Sequence, residues 1–282
     1  MEMVQTKVIA LAALVLLASS CEYRYSWEKY SMDGHRTGVT APGAENVAAA
    51  LGTVDGDTYT APNGTAWQKG SATYGVAADL IAVQPQMKEI KKVVGFATRD
   101  MAAAAPESEL SNWWVDRMMA DVARLTKRPV DVGVLNFGGI RTSLPQGEVW
   151  LDDFVSMFPF KNSLCYVALS GSDLQALFES IAASRPFVIG GAKMVVNHHH
   201  IDTLLVGGKP IDPKKTYGVA TVDFLLDGGD GLTVAKNAKE LRITDTYVID
   251  AVLPYVYSLQ AAGKPIEYFT DGRLVFDEWE EE

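Results

Sequence analysis

A polar segment suited to binding an anion or a ribose follows a predicted β-strand. Residues 130–135 alternate valine with smaller or polar residues, which is typical of a strand. The segment after them contains Asn136, Gly138, Gly139 and Arg141. An amide, accessible backbone N–H groups and a guanidinium can together hold phosphate or sugar oxygens. A tight glycine turn beside a solvated arginine explains the same residues, so both interpretations stay open at this point.

A second glycine-rich segment, residues 227–231, follows another predicted strand and contains Gly229 and Asp230. The Asp230 carboxylate could accept hydrogen bonds from sugar hydroxyls, as acidic residues do in nucleotide-binding folds. A hairpin turn that needs glycine for its positive φ is the alternative. Phe160 and Phe224 each lie beside a turn rather than in a periodic apolar stripe. Two such rings could stack on a flat base, which contributes about 1–3 kcal/mol per base, although each ring alone also fits a core position.

The sequence offers no catalytic or metal-binding set. Three consecutive histidines, residues 198–200, stand between two predicted strands. Because neighbouring residues on a strand point to opposite faces, at most two of them could share one ion, and we interpret them as a polar hairpin turn. The remaining histidine, His35, is isolated, so a dinuclear hydrolase centre is not predicted. No Gly-x-Ser-x-Gly segment, Walker loop or Cys/His nucleophile pair occurs, and we assign no catalytic residue and no metal ligand.

Three helices are predicted from their terminal residues. Proline and acidic residues at 106–109 predict the start of the first, whose apolar stripe includes two tryptophans that we interpret as core. Ser170 predicts the N-cap of the second helix. The third helix spans roughly 247–262, is predicted to bend at Pro254, and ends at Gly263. Residues 80–94 also show helical spacing in part.

Strand signals alternate with these helices. Strands are predicted at 164–169, where Cys165 is a buried core thiol, and also at 192–197, 201–206 and 216–222. Residues 50–75 predict loops with a hairpin at most. Several hairpin-like returns favour an α+β fold over a doubly wound parallel sheet.

The composition and the N-terminus predict an exported protein. The net charge is −10 and no basic stripe occurs, so nucleic acid is not the expected partner. Lys7 precedes an apolar run, residues 8–17, that is too short to span a bilayer but fits a signal peptide. Small residues before Cys21 indicate a lipoprotein processing site, at which a lipid on Cys21 anchors the protein to a membrane. Cleavage of an ordinary signal peptide nearby is the alternative.

These features divide the chain into three predicted parts. We expect a signal peptide at 1–21, a tether and N-terminal extension at 22–75, and one domain at 76–282. Under either processing route the mature chain is expected outside the cytoplasm, in the periplasm or on the cell surface.

Five stretches together resemble the C-terminal domain of the 5'-nucleotidase family. Their order and spacing cover the chain from Glu107 to Arg273, and the stretches are residues 107–112, 136–141, 158–160, 212–217 and 224–231. The resemblance implies a layered α/β/β/α fold with mixed sheets. It also implies that this domain recognises the nucleoside part of a substrate.

The resemblance assigns roles to the polar and aromatic residues described above. Phe160 and Phe224 would sandwich the base, and Asp230 would hold the ribose hydroxyls. Asn136 and Arg141 would approach the ribose and the phosphate. The glycines of the two segments complete the predicted substrate-binding set, which also contains Gly138, Gly139 and Gly229.

The sequence also departs from the family pattern. In the family, a separate N-terminal metallophosphatase domain supplies a dinuclear metal site and a catalytic His–Asp pair, and we expect no cofactor on this chain. An arginine shortly before the position of Glu107 is also usual, whereas alanines occupy 102–105 here and Arg99 is the nearest arginine.

The expected function is therefore nucleotide recognition for 5'-phosphate hydrolysis. Divalent metals such as Zn or Mn are expected on a separate metallophosphatase chain, and this chain is expected to be inactive alone. A non-enzymatic extracytoplasmic lipoprotein that binds nucleosides or nucleotides is the alternative. A structural domain with an empty pocket is a third interpretation.

Overall fold

A computed structural model describes residues 42–43 and 45–277. The predicted signal peptide, Cys21 and residues 22–41 lie outside the described residues. In the described part, the helices are α1 (Val47–Leu51), α2 (Ala72–Val83), α3 (Glu109–Thr126), α4 (Leu151–Met157), α5 (Gly171–Ser184) and α6 (Val248–Ala261). None of these described helices is long and apolar enough to cross a bilayer.

The strands form sheets of mixed direction, which confirms the predicted α+β fold. The strands are β1 (Thr53–Asp55), β2 (Thr58–Thr60), β3 (Ala66–Gln68), β4 (Val93–Ala97), β5 (Val132–Leu135), β6 (Gly147–Trp150), β7 (Ser163–Ser170), β8 (Val188–Gly190), β9 (Ala192–Asn197), β10 (His200–Val206), β11 (Thr216–Val222), β12 (Glu240–Tyr247) and β13 (Leu274–Phe276). The central sheet has the order β12-β7-β11-β5-β8, and a second sheet has the order β10-β9-β13. Strands β4 and β6 pair separately, as do β1, β2 and β3.

One parallel pair lies inside the otherwise antiparallel central sheet. Val219 of β11 is opposite Val132 of β5, and Ala220 is opposite Gly133. This register places the carboxyl ends of the two strands, Val222 and Leu135, at the same edge of the sheet. The residues that follow each strand must therefore lie close together.

Helix α3 covers this sheet and forms the centre of the core. Ser108 is its N-cap and forms a capping box with Ser111, which explains the helix start just after Pro106. The helix packs against β5, β7, β8 and β11. Trp113 and Trp114 are both buried, so their interpretation as core residues is confirmed. Their burial fixes how α3 lies on the strands that end at the shared edge.

Two further core predictions are confirmed. Ser170 caps α5, and the apolar residues of this helix are buried in the core, namely Leu174, Leu177, Phe178 and Ile181. Cys165 is buried in β7, and this burial raises the pKa of its thiol to about 12. The thiol is therefore a core side chain rather than a nucleophile at neutral pH.

The histidine segment forms the predicted polar hairpin turn between β9 and β10. His198 and His199 both have positive φ, +48° and +63°, and connect the antiparallel strands. The third helix agrees with its predicted bounds, since α6 spans Val248–Ala261 and is followed by Gly263 at φ +62°. The bend at Pro254 stays a prediction.

The N-terminal part differs from its prediction. Residues 50–75 contain the predicted hairpin, formed by β1 and β2, and also a third strand and the start of α2, which were not predicted. The helical interpretation of 80–94 holds only in part, because α2 ends at Val83, a short 3-10 helix spans Gln86–Lys88, and β4 begins at Val93. Pro85 has no N–H to continue the helical hydrogen bonds. The division of the chain at residue 75 stays a prediction, and α2 runs across that position.

A partly buried ion pair joins the residue before the C-terminal strand to α3. The Arg273 guanidinium, whose side chain is 10% exposed, donates to both oxygens of Asp116 at 2.8 and 2.9 Å and also pairs with Asp271. The Tyr268 hydroxyl donates to Asp116 at 2.5 Å. Burial and this bond raise the pKa of Tyr268 to about 12. Glu107 accepts from the backbone N–H of Asp271 at 2.8 Å, so this family-like residue has a structural role.

We expect Asp116→Ala to destabilise the protein by about 3 kcal/mol, because it leaves Arg273 and the Tyr268 hydroxyl without their main partner in a buried place. Urea denaturation followed by circular dichroism measures this loss. The control is Asp57→Ala, which removes an exposed pair with Lys69 and should cost less than about 1 kcal/mol. Equal losses in the two variants would contradict the structural role of the Arg273 ion pair.

Candidate functional site

The predicted site residues meet at the shared edge of β5 and β11. Asn136 directly follows β5, and the segment 223–231 follows β11. The parallel pairing of the two strands brings these segments together although they are about ninety residues apart in sequence. Ligand sites of α/β sheets occur at such carboxyl edges, because the loops there project beyond the sheet.

A hydrogen bond joins the two polar segments directly. The side-chain amide of Asn136 donates to Oδ2 of Asp230 at 2.7 Å. Asn136 is only 8% exposed, so its amide is held in place by the surrounding protein. Asp230 has φ +51° and ψ +24°, a left-handed conformation that is uncommon for a residue with a side chain. The carboxylate is thus held at the surface in a defined position.

Two glycines allow this close approach. A Cβ on Gly139 would lie 3.0 Å from Oδ1 of Asn136, and the neighbouring Gly138 lies against the same amide. A Cβ on Gly229 would overlap the Phe224 carbonyl oxygen and approach the Phe224 ring to 3.0 Å. Packing therefore requires glycine at position 229, and a side chain at position 139 would press on the Asn136 amide.

Arg141 and Phe160 extend the cluster on one side. The Arg141 guanidinium donates to the Gly138 carbonyl oxygen at 3.2 Å, and its carbon lies 5.9 Å from the centre of the Phe160 ring. Phe158, two residues earlier, is buried edge-on against Trp114 with ring centres 3.8 Å apart. The buried ring holds the backbone, while Phe160 is presented to solvent.

Phe160 and Phe224 are both exposed, by 48% and 45% respectively. Neither ring stacks on another aromatic ring of the described residues. A narrow cleft of about 20 Å³ is lined by Asn136, Phe160 and the previously unpredicted Asn162. Phe160 lines this largely apolar cleft, and exposed, unstacked rings such as Phe160 and Phe224 are suited to a flat ligand.

All eight predicted substrate-binding residues are therefore joined by contacts or by the cleft. We call this set the strand-end patch, and it consists of Asn136, Gly138, Gly139, Arg141, Phe160, Phe224, Gly229 and Asp230. Its ligand-binding role stays a prediction. Arg99 does not join these contacts, because it pairs with Glu267 at 3.4 Å and lies over the Phe269 ring.

The sequence interpretation missed two residues of this region. Arg185 pairs with Asp230 at 3.1 Å, and Asn162 lines the cleft. Arg185 follows the last turn of α5 and carries no motif, so only the three-dimensional contact reveals it. Asn162 could have been noted from its position two residues after Phe160.

Metal ligation finds no support among the described side chains. In residues 42–43 and 45–277, no group of three or more His, Cys, Asp and Glu residues is arranged to hold an ion. The sequence does contain one Asp-x-His segment, Asp33 to His35, which the interpretation of His35 as isolated overlooked. This segment lies outside the described residues.

Comparison with known protein families shows the family to which this chain belongs. Residues 86–237, which include the whole strand-end patch, match the family model described as "5'-nucleotidase, C-terminal domain". The match covers more than half of the sequence. The chain belongs to this family. Its fold is that of a 5'-nucleotidase C-terminal domain.

Individual relatives agree with this membership. Protein UshA of Yersinia enterocolitica is 31% identical over 116 residues, which are 39% of this chain and 21% of that protein. An apyrase of Tabanus yao is 30% identical over 170 residues, which are 52% of this chain and 30% of the apyrase. This chain therefore spans less than a third of the length of either relative.

A solved structure supports the fold. The crystal structure of a 5'-nucleotidase precursor from Thermus thermophilus has a TM-score of 0.63 and 24% identity to this chain, and the likeness covers 78% of this chain and 46% of that one. At this identity the likeness shows the fold alone.

We expect Gly229→Ala to displace the Phe224–Asp230 segment, because the added methyl group overlaps the Phe224 carbonyl. A loss of about 1–3 kcal/mol in the free energy of unfolding is the expected result, measured by urea denaturation. Gly75→Ala is the matched control, since its Cβ meets no atom within 4 Å and alanine favours the helix α2. A Gly229→Ala protein as stable as the control would show that the segment is not packed as described.

Proposed function

We propose that the strand-end patch binds the base and ribose of a nucleotide for hydrolysis of its 5'-phosphate. The observation that carries this proposal is the contact between Asn136 and Asp230, which brings the two glycine-rich segments into one patch. The patch also contains two exposed rings, Phe160 and Phe224. Membership of the 5'-nucleotidase C-terminal family supports a nucleotide as the ligand.

Different residues of the patch bind different parts of the nucleotide. Phe160 and Phe224 bind the base by stacking, which is worth about 1–3 kcal/mol per base. The Asp230 carboxylate accepts hydrogen bonds from the ribose, each worth about 1.5–3 kcal/mol because the acceptor is charged. Arg141 is exposed beside Phe160 and is available to pair with an anion.

We further propose that a separate metallophosphatase chain completes the reaction. That chain would carry divalent ions such as Zn²⁺ or Mn²⁺, whose bound hydroxide is the nucleophile in dinuclear centres. The whole protein is proposed to be an exported lipoprotein that is anchored to a membrane through Cys21, with residues 22–75 as tether and extension. The charged, polar character of the patch residues is consistent with a soluble ligand at the cell surface or in the periplasm.

Adenosine or AMP at a hundred times its Kd should stabilise the protein by about 2.7 kcal/mol, because ligand binds only the folded state. For a chain of this size the melting temperature then rises by about 5–10 °C. The measurement is a thermal-shift series without metal, in which Phe160→Ala and Phe224→Ala abolish the rise.

Phe269→Ala is the control, since Phe269 is a similarly exposed ring that contacts Arg99 rather than the patch. This variant should retain the full rise. If no nucleoside or nucleotide shifts the wild type, the patch is an empty structural feature and the proposed function is wrong.

The purified chain with Mn²⁺ or Zn²⁺ should release no phosphate from AMP above the buffer rate, because the nucleophile is supplied by the partner. Metal-dependent AMP hydrolysis should appear in material that co-purifies with the chain from its native membrane. Brisk hydrolysis by the chain alone contradicts the division between two chains. Nucleotide binding with no co-purifying hydrolase would favour the non-enzymatic binding lipoprotein instead.

A further inference from the structure

Arg185 approaches the strand-end patch from the end of α5. Pro186 follows it, and a residue before proline is restricted to extended backbone, here φ −157° and ψ 164°. The helix therefore ends at this point. The guanidinium carbon lies 5.5 Å from the centre of the buried Phe187 ring. Backbone restriction and ring contact together limit the positions that the Arg185 side chain can take.

The guanidinium contacts Asp230 twice. Its Nη2 lies 3.1 Å from the carboxylate oxygen Oδ1 and donates to the Asp230 backbone carbonyl at 3.4 Å. Asn136 donates to the other carboxylate oxygen, Oδ2, at 2.7 Å. Because two side chains bind the two oxygens separately, the plane of the carboxylate is fixed. The hydrogen bond from Arg185 to the Asp230 backbone carbonyl also stabilises the left-handed backbone of this residue.

The fixed carboxylate keeps one acceptor site on each oxygen. A carboxylate oxygen has two lone-pair sites. Asn136 donates to one of those on Oδ2, and the Arg185 ion pair occupies one side of Oδ1. One lone-pair site therefore remains on each Asp230 oxygen. The distance between these two acceptors is the distance between the two oxygens of one carboxylate. Two adjacent hydroxyl donors, as in the 2',3'-diol of a ribose, match this arrangement, whereas a sugar without hydroxyls leaves both acceptors unpaired.

We propose that Arg185 is a positioning residue that makes the patch selective for ligands with a ribose diol. This inference rests on the proposed function, since it concerns the same ligand. Arg185 does not touch the ligand, and it acts by holding the Asp230 carboxylate in the orientation that accepts both hydroxyls. Without it, the carboxylate can rotate about its side-chain bonds and binds a diol no better than a single hydroxyl.

The test compares adenosine with 2',3'-dideoxyadenosine, which has the same base but lacks the diol. Isothermal titration of the full mature chain should show that the wild type binds adenosine about tenfold or more tightly than the dideoxy ligand. Arg185→Gln should weaken adenosine binding by about tenfold and leave dideoxyadenosine binding unchanged. Arg185→Lys keeps the charge but lacks the planar guanidinium that lies over the Phe187 ring, so it should restore adenosine binding in part.

Arg124→Gln provides the matched control, because Arg124 is a similarly exposed arginine paired with an aspartate, Asp121, on α3. It should bind both ligands as the wild type does. Asp230→Asn should lose the diol preference, and combining it with Arg185→Gln should add no further loss, since both changes remove one interaction.

Two results overturn the inference while the proposed function stands. Equal weakening of both ligands by Arg185→Gln shows a general structural role, and an unchanged diol preference shows no role. Absence of binding by the wild type to either ligand is a different result, which removes the proposed function and this inference with it. Circular dichroism of each variant confirms that the chain is folded before titration.

Discussion

The parallel pairing of β5 and β11 is the constraint on which the candidate site depends. Every other pairing in the central sheet is antiparallel, and an antiparallel β5 would place Asn136 at the opposite edge from Asp230. Parallel neighbours need a long connection, and the chain supplies it with α4, β7, α5 and the second sheet. The distance in sequence between the two polar segments is thus a consequence of strand direction. The 2.7 Å hydrogen bond between Asn136 and Asp230 joins the two segments where the strands end.

Packing beneath the strand-end patch limits the movement of the two exposed rings, Phe160 and Phe224. Trp114 packs against Phe158, and this contact fixes the short segment that carries Phe160. On the other side, the backbone of Phe224 lies against Gly229 so closely that no side chain fits between them. Both exposed rings therefore extend from backbone that the interior holds. A flat ligand would meet surfaces that need little reordering, which reduces the entropy lost on binding.

Local signals in the sequence predicted most of the helices and strands after residue 100. Caps such as Ser108 and Ser170, and the alternation before Asn136, act over a few residues and can be read without a structure. Short strands in a Thr-, Ala- and Asn-rich region carry no clear period, so the third strand of the sheet at 53–68 was not predicted. The patch itself was assembled by resemblance, because contacts such as Arg185 with Asp230 join distant segments and leave no pattern in the sequence.

The left-handed backbone at position 230 restricts which amino acids can stand there. Glycine adopts the conformation at no steric cost but supplies no carboxylate, and asparagine supplies an amide of nearly the same shape without charge. Glutamate carries the charge but fits this backbone poorly and would place its carboxylate one methylene further out. Aspartate alone meets both demands. Under the proposed function, a single base change at codon 230 could remove ligand binding and leave the fold intact. A protein that has lost its function in this way would still be stably folded.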